Sequence, residues 1–206
     1  MGAAPIVYLI RHGETADNAR RVLQMPDVPL SEHGLEQARR LAARLVEAGI
    51  VRILVSDYER ARMTARALTE ATGAPLHEDP LLRERHFGQL RGRAYASLGF
   101  DPFAPGYVPP GGESIPVFMT RVSRAFDAIR THAAAAGGPL AVVTHGLVCR
   151  DLVANHLKLA PELAAAPPDP YRWTNTCLTE IDPATWTVRL LACTSHLDDL
   201  REVAPA

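Results

Sequence analysis

The chain of 206 residues is long enough to bury the core of one domain and short for two, so we expect a single domain over residues 1–206. Hydrophobic residues make up 47% and charged residues 22%, and the formal net charge of −1 argues against a surface that binds nucleic acids. Three cysteines without CxxC spacing argue against a disulfide framework or a zinc ribbon. No apolar run is long enough for a membrane span, and the first residues lack a secretory pattern. We therefore expect a cytoplasmic protein without membrane contact.

The chain begins with a strand and a helix. Residues 6–10 read as a short buried strand, because they are β-branched or large and apolar. Residues 31–48 place leucine, alanine and valine on one helical stripe. Ser31 suits the N-cap of that helix, and Gly49 stands where a C-terminal glycine is expected.

The same alternation continues through the rest of the chain. It predicts strands at 51–56, 140–145, 176–181 and 186–193, and helices at about 58–72, 117–135 and 146–157. Ser114 and Pro116 suit the start of the helix near 117, as cap and first-turn residue. Short apolar strands alternating with helices predict an α/β fold, a three-layer α/β/α sandwich with a mostly parallel central sheet.

Residues from about 79 to 115 break this pattern. The stretch is rich in proline and glycine and shows no clear periodicity. Loops of this length inside a compact domain are often lids or binding loops. We therefore expect the segment to cap the substrate site at one end of the sheet.

Three predicted strands end in polar residues that do not suit a core. The first ends in Arg11 and His12, the second leads into Ser56 and then Arg60, and the third ends in His145. Because parallel strands share one carboxyl edge, where open α/β folds bind ligands, these side chains are expected to converge on one crevice.

A phosphoryl group fits this set of side chains. Arginines hold phosphate oxygens through bidentate hydrogen bonds, and a neutral imidazole is a competent nucleophile towards phosphorus. A second histidine can stabilise the charge on the transferring oxygens. The leaving alcohol also needs a proton donor, and the loop offers Glu84 and Glu113 as candidates.

Five sequence motifs occur along the chain in a recognisable order. They read LIRHGET, SDYERARMTA, LRERHFGQLRG, PGGES and VVTHG, and with a terminal TSHL they span about residues 6 to 197. This order resembles the histidine phosphatase superfamily, which includes cofactor-dependent phosphoglycerate mutases, fructose-2,6-bisphosphatases and many small phosphatases. The resemblance implies a phosphoglycerate mutase-like fold.

The resemblance also implies the reaction. His12 would be the nucleophile that becomes a transient phosphohistidine, and Glu84 would be the proton donor and later the base for water. The family uses no metal, which agrees with the lack of metal-binding motifs here, and we expect no cofactor. Glu84 must be protonated and His12 neutral for the first step, so we expect a mildly acidic to neutral pH range.

The phosphate pocket is implied in the same way. Arg11, Arg60 and His145 would form it, and Asn18 resembles the family asparagine that also touches the phosphoryl group. The family pattern S-x-x-x-R-A-x-x-T-A selects Arg60 over Arg62. Arg62 lies about 200° around the helix from Arg60, at about 3.6 residues per turn, and is expected to be a surface charge.

Some loop residues have two interpretations. Gln24 and Met25 stand near a position where the family usually has glycine, so they could shape substrate specificity, or the loop could be shorter. Ser114 could contact the phosphoryl group through its backbone, or only cap a helix. Arg85 and Arg91 could meet the organic part of the substrate, or they could be solvated charges or pack within the loop.

The choice between phosphatase and mutase rests on the loop. Mutases of this family have a tyrosine after E-R-H, a lysine beyond the next glycine, and an adjacent arginine pair in a later insertion. Here Phe87 replaces the tyrosine, Tyr95 falls about where the lysine would be, and no arginine lies between Arg93 and Arg121. These differences favour a phosphomonoester hydrolase over a phosphoglycerate mutase.

Two non-enzymatic classes stay open as minor alternatives, a non-catalytic phosphoprotein-binding module and a scaffold. A binding module on this fold would normally lack the nucleophile or the acid, and a scaffold leaves the strand-end clusters unexplained. We expect a small phosphorylated substrate as the partner, with the alcohol part and the oligomeric state, monomer or homodimer, left open. Trp173 and Trp186 are most simply core or sheet-face aromatics.

Overall fold

The computed structural model describes residues 5–165 and 173–201, apart from the side chains of residues 199 and 201. The strands are β1 Val7–Arg11, β2 Arg52–Val55, β3 Leu76–Glu78, β4 Leu140–Thr144, β5 Lys158–Leu159, β6 Leu178–Asp182 and β7 Thr187–Cys193. The helices are α1 Ala16–Ala19, α2 Glu32–Leu45, α3 Glu59–Thr72, α4 Ile115–Ala136, α5 Gly146–Asn155, α6 Pro161–Ala165 and α7 Asp198–Arg201. The expected alternation of strands and helices is confirmed.

The strands form one sheet with the order β3-β2-β4-β1-β6-β7-β5. Strands β3, β2, β4 and β1 pair in parallel, and β5 pairs in parallel with β7. Within the described residues, β6 is the strand that runs antiparallel to its neighbours. The mostly parallel sheet is therefore confirmed, and the carboxyl ends of β1, β2 and β4 lie side by side.

Alternate residues of β1 face opposite helical layers. Val7 and Leu9 belong to a buried cluster with α4 and α5, whereas Tyr8 and Ile10 belong to a second cluster with α2 and α3. This is the period-two pattern of a strand buried on both faces. The sheet thus lies between two helical layers, as a three-layer sandwich requires.

The helix starts agree with the capping residues. Ser31 Oγ accepts a hydrogen bond from the Gly34 backbone N–H (3.0 Å) at the start of α2. Ser114 Oγ accepts one from Val117 N–H (3.3 Å) at the start of α4. Helix α2 is shorter than expected, because its last residues form a 3₁₀ turn that Gly49 ends at φ 66°.

The capping segment, residues 79–115, contains three short 3₁₀ turns at Pro80–Leu82, Gly88–Leu90 and Tyr95–Ser97. Its apolar side chains form a separate small core with a residue of the loop after α1; the buried members are Leu23, Phe87, Leu90 and Leu98. Two short strands, β3 and β5, were not predicted. Across the described residues, no helix combines the length and apolar character that a membrane span requires.

Candidate active site

His12 directly follows β1 and is 2% exposed. Its Nδ1 lies 2.7 Å from the Gly13 carbonyl oxygen, and because a carbonyl only accepts, Nδ1 carries the proton. Thr64 Oγ1 accepts a hydrogen bond from the Gly13 N–H (3.0 Å) and so helps to fix this peptide. The Nε2 lone pair faces the guanidinium of Arg60, whose Nε donates to it at 3.2 Å.

The protonation of His12 suits a nucleophile. Burial lowers the pKa of His12 well below its usual value, and the positive charges of Arg60 and Arg11 lower it further. The imidazole is therefore neutral at physiological pH, with Nε2 unprotonated. This is the form in which nitrogen can attack phosphorus.

His145 follows β4 and is fully buried. Its ring centroid lies 5.1 Å from that of His12. His145 Nε2 lies 2.8 Å from Ser56 Oγ, which follows β2 and also accepts a 3.4 Å hydrogen bond from Tyr58 N–H. The serine hydroxyl therefore donates its hydrogen to Nε2, which leaves the proton of His145 on Nδ1.

Two buried nitrogen atoms of this group, Arg11 Nε and His145 Nδ1, have no hydrogen-bond partner among the described residues. A Cβ added to Gly146 would lie 3.5 Å from Arg11 Nε, so the guanidinium sits against the start of α5. Buried donors that lack an acceptor are costly, and a bound anion would satisfy them.

Arg60, on the first turn of α3, is also 2% exposed. Burial lowers the pKa of Arg60 to about 10, so it stays cationic at neutral pH. Its Nη1 donates to the Met25 carbonyl at 3.0 Å, and this bond holds the guanidinium beside His12. Arg62, in contrast, forms an ion pair with Glu78 on the surface.

The two candidate proton donors differ in their surroundings. Glu84 accepts hydrogen bonds from the backbone N–H groups of Arg85 (3.0 Å) and Leu147 (3.1 Å). Burial nevertheless raises the pKa of Glu84. For Glu113, burial acts in the same direction, but the hydrogen bond from Arg121 and its charge lower the pKa overall. Glu84, which lines the cavity with His12, is therefore the better acid.

The side chains converge on a cavity of about 550 Å³ at the carboxyl ends of the parallel strands. The predicted site residues among its lining are Arg11, His12, Asn18, Gln24, Arg60 and Glu84. Ser114 is not among the lining residues and acts as the cap of α4. His145 is also not among the lining residues; its ring lies 5.1 Å from that of His12 and 5.2 Å from that of Tyr58, which lines the cavity.

Asn18 and Gln24 belong to one polar network. Asn18 closes a capping box with Thr15 at the start of α1. Its Oδ1 also accepts a 3.1 Å hydrogen bond from Asn175 Nδ2, and Thr15 Oγ1 donates to Gln24 Oε1 at 2.8 Å. Both side chains are thereby held at the cavity wall.

Several contributors were not predicted. Trp173 packs against the buried cluster with α4 and α5, as expected, but it also lines the cavity, and its carbonyl oxygen accepts a hydrogen bond from Arg11 Nη1. Asn175 Nδ2 donates to the His12 carbonyl (3.0 Å). Arg85 is buried and packs within its loop, where it donates to the Tyr107 carbonyl (2.8 Å), and it also lines the cavity. Trp173 and Asn175 lie about 160 residues from their partners, so no local pattern could indicate these contacts.

The chain is similar to known proteins over nearly its whole length. The family model described as "Histidine phosphatase superfamily (branch 1)" matches residues 7–194. A Serratia proteamaculans protein named "Probable phosphoglycerate mutase GpmB" is 33% identical, over 93% of this chain and 94% of that protein.

Two solved structures have similar folds. YhfR from Bacillus stearothermophilus has a TM-score of 0.79 and 30% identity, covering 95% of this chain and all 100% of its own. A mycobacterial glucosyl-3-phosphoglycerate phosphatase complexed with VO3 has a TM-score of 0.74 and 28% identity, over 93% of this chain and 100% of that chain. With a family model that spans nearly its whole length, the chain belongs to the histidine phosphatase superfamily, branch 1.

Proposed function

We propose that the chain is a metal-independent phosphomonoester hydrolase that acts on a small phosphorylated metabolite through a phosphohistidine at His12. The observation that carries this proposal is the unprotonated Nε2 of His12 between Arg60 and the unpartnered buried donors of Arg11 and His145. Those donors are suited to phosphoryl oxygens, which would lie within reach of the nucleophile.

In the first step, Nε2 of His12 attacks phosphorus and the bond from phosphorus to the ester oxygen breaks. Glu84, protonated because its pKa is raised, gives its proton to the departing oxygen, which leaves as the alcohol. The hydrogen bond from Nδ1 to the Gly13 carbonyl stabilises the positive charge that develops on the imidazole.

In the second step, water replaces the alcohol. The Glu84 carboxylate takes a proton from the water. At the same time the oxygen of this water attacks phosphorus, and the phosphorus–Nε2 bond breaks. Inorganic phosphate leaves, and His12 and Glu84 return to their starting protonation states. Arg11, Arg60 and His145 hold the phosphoryl oxygens in both steps.

A phosphoglycerate mutase is the second candidate, because relatives such as the Serratia protein carry that name. Two loop features support hydrolysis instead. Phe87, which replaces the mutase tyrosine, is 5% exposed and has no polar group for a phosphoglycerate. Tyr95 stands about where the mutase lysine would be and lines the cavity without a positive charge.

The test is phosphate release from 4-nitrophenyl phosphate in the presence of a chelator, for the native chain and for His12→Ala. We expect turnover by the native chain and its loss in the variant. An assay with 3-phosphoglycerate and its bisphosphate cofactor follows in parallel. Equal turnover by native and variant chains would contradict the mechanism, and fast isomerisation without phosphate release would favour the mutase.

A further inference from the structure

The cavity has an apolar wall away from the phosphate-binding groups. His12 and Arg60, both 2% exposed, mark the proposed phosphoryl end. The wall towards the capping segment is formed mainly by Leu23, Phe87, Tyr95, Phe103, Pro105 and Leu147. The alcohol part of a bound ester would therefore lie against aromatic and aliphatic side chains.

Phe103 is the exposed part of this wall. It is 37% exposed, and its ring makes edge contacts with Phe87 (5.5 Å, 79°) and Tyr95 (5.5 Å, 90°). The free energy falls when a flat apolar group covers aromatic rings that would otherwise contact water. An exposed ring at a cavity therefore favours binding of such a group.

The position of Phe103 is fixed by the buried Arg85. The Arg85 guanidinium donates to the carbonyl oxygens of Tyr107 (2.8 Å) and Glu113 (3.1 Å), and at 3.5 Å to Pro102. The Phe103 N–H donates to Asp101 Oδ1 at 2.8 Å. A buried charge fully engaged with backbone carbonyls makes this loop a preformed wall.

The charged residues around the wall are Arg85, Arg91, Arg150 and Asp101. Arg85 is committed to backbone carbonyls, and Arg91 Nη2 donates to Tyr58 Oη (2.5 Å), while its Nη1 lies 3.0 Å from His86 Nε2. Arg150 is exposed, where water and salt screen its charge. The carboxylate of Asp101 lies on the same wall and would repel a second negative group.

We infer that the preferred substrates are monophosphate esters of alcohols that carry an aromatic or similarly flat apolar group. This inference rests on the proposed hydrolase function and names its substrate class. It separates this chain from an enzyme for phosphoglycerates, whose carboxylate would meet Phe103 and Asp101.

The test compares three esters of unactivated primary alcohols, so that the leaving group does not decide the rate: 2-phenylethyl phosphate, glycerol 1-phosphate and 3-phosphoglycerate. We expect kcat/KM to be at least tenfold higher for 2-phenylethyl phosphate than for the other two. Comparable or higher kcat/KM for either polar ester would overturn the inference and leave the hydrolase function standing.

Variants then locate the preference. Phe103→Ala should lower kcat/KM for 2-phenylethyl phosphate about tenfold and change that for glycerol 1-phosphate less than about twofold. Phe100→Ala is the matched control, because Phe100 is 44% exposed in the same loop but does not line the cavity. Equal losses for both esters in Phe103→Ala would contradict the assigned wall.

A binding measurement separates the two proposals. Calorimetric titration of the non-hydrolysing His12→Ala variant should show tighter binding of 2-phenylethyl phosphate than of glycerol 1-phosphate. If the native chain hydrolyses none of the esters but this order of affinity is found, the hydrolase function fails and the substrate class stands. If the order is absent, the substrate class is wrong.

Discussion

His12 and Glu84 must hold opposite protonation states, and their surroundings shift each pKa in the required direction. Burial together with Arg60 and Arg11 lowers the pKa of His12, so it stays neutral to lower pH. Burial raises the pKa of Glu84, so it stays protonated to higher pH. The rate should therefore fall as pH drops through the pKa of His12 and fall again as pH rises through that of Glu84.

Replacing Glu84 by glutamine should remove the acid. With 2-phenylethyl phosphate we expect a loss of about 10²-fold or more in kcat/KM and loss of the alkaline limb of the pH profile. With 4-nitrophenyl phosphate, whose leaving group needs no proton, rapid mixing should show a burst of nitrophenolate followed by slow turnover. A missing burst, or an unchanged alkaline limb, would show that Glu84 is not the acid.

Ser56 is a positioning residue for His145. Its hydroxyl donates to His145 Nε2 at 2.8 Å. The single N–H of the imidazole is then on Nδ1, where the phosphoryl oxygens are expected. Ser56→Ala should lower kcat about tenfold, the cost of about one hydrogen bond, and change the nitrogen NMR shifts of the His145 ring. Ser123→Ala, which removes a half-buried hydroxyl on α4 outside the cavity lining, is the control. Native ring shifts in Ser56→Ala would refute this role.

At the scale of elements, α5 begins at the site. Its first residues follow His145, and Leu147 N–H donates to Glu84 Oε2 at 3.1 Å. The start of α4 is tied to the capping segment by Arg121. Its guanidinium pairs with Glu113 (2.8 Å) and donates to the carbonyls of Leu81 (2.8 Å) and Arg83 (2.7 Å).

Arg121→Met should therefore lower the free energy of unfolding by about 3 kcal/mol, because it leaves a largely buried carboxylate and two carbonyls without their partner. Arg39→Met is a matched control that breaks another Arg–Glu pair, with Glu36, but Arg39 is 68% exposed. It should cost far less, because water and salt screen an exposed ion pair. Urea unfolding of both variants measures this difference, and equal costs would contradict the proposed anchoring.

Some elements were predictable because local patterns specify them. The apolar stripe with Ser31 gave α2, and the short apolar runs gave β1, β2 and β4. Strands β3 and β5 have three and two residues, too few for any periodicity to show. The motif order indicated His12 and Arg60, whereas the carbonyl of Trp173 reaches Arg11 only through the tertiary fold.

At the scale of the whole molecule, the parallel strands bring residues from distant parts of the chain to one edge. Arg11 in β1 pairs in register with Thr144 in β4, so the residues that follow both strands meet. The unpartnered donors of Arg11 and His145, which we propose bind an anion, come together only in the folded state. Ligands that bind only the folded state stabilise it.

Inorganic phosphate should therefore raise the melting temperature. At about 100 times its dissociation constant the stabilisation is about 2.7 kcal/mol, and the shift about 5–10 °C for a chain of this size. Differential scanning calorimetry checks this, with chloride at equal ionic strength as the control. An equal shift of the melting temperature with chloride would contradict the proposed phosphate site. So would the absence of any shift when phosphate is added to the native chain.

The central claim is that the phosphoryl group passes through Nε2 of His12, and chemical trapping tests it most directly. Glu84→Gln, mixed with 4-nitrophenyl phosphate and quenched in alkali, is digested and analysed by mass spectrometry. The mechanism predicts one added phosphoryl group on the peptide that contains His12. The double variant His12→Ala, Glu84→Gln should carry none on the same peptide. A phosphoryl group on another residue, or none during nitrophenolate release, would contradict the account.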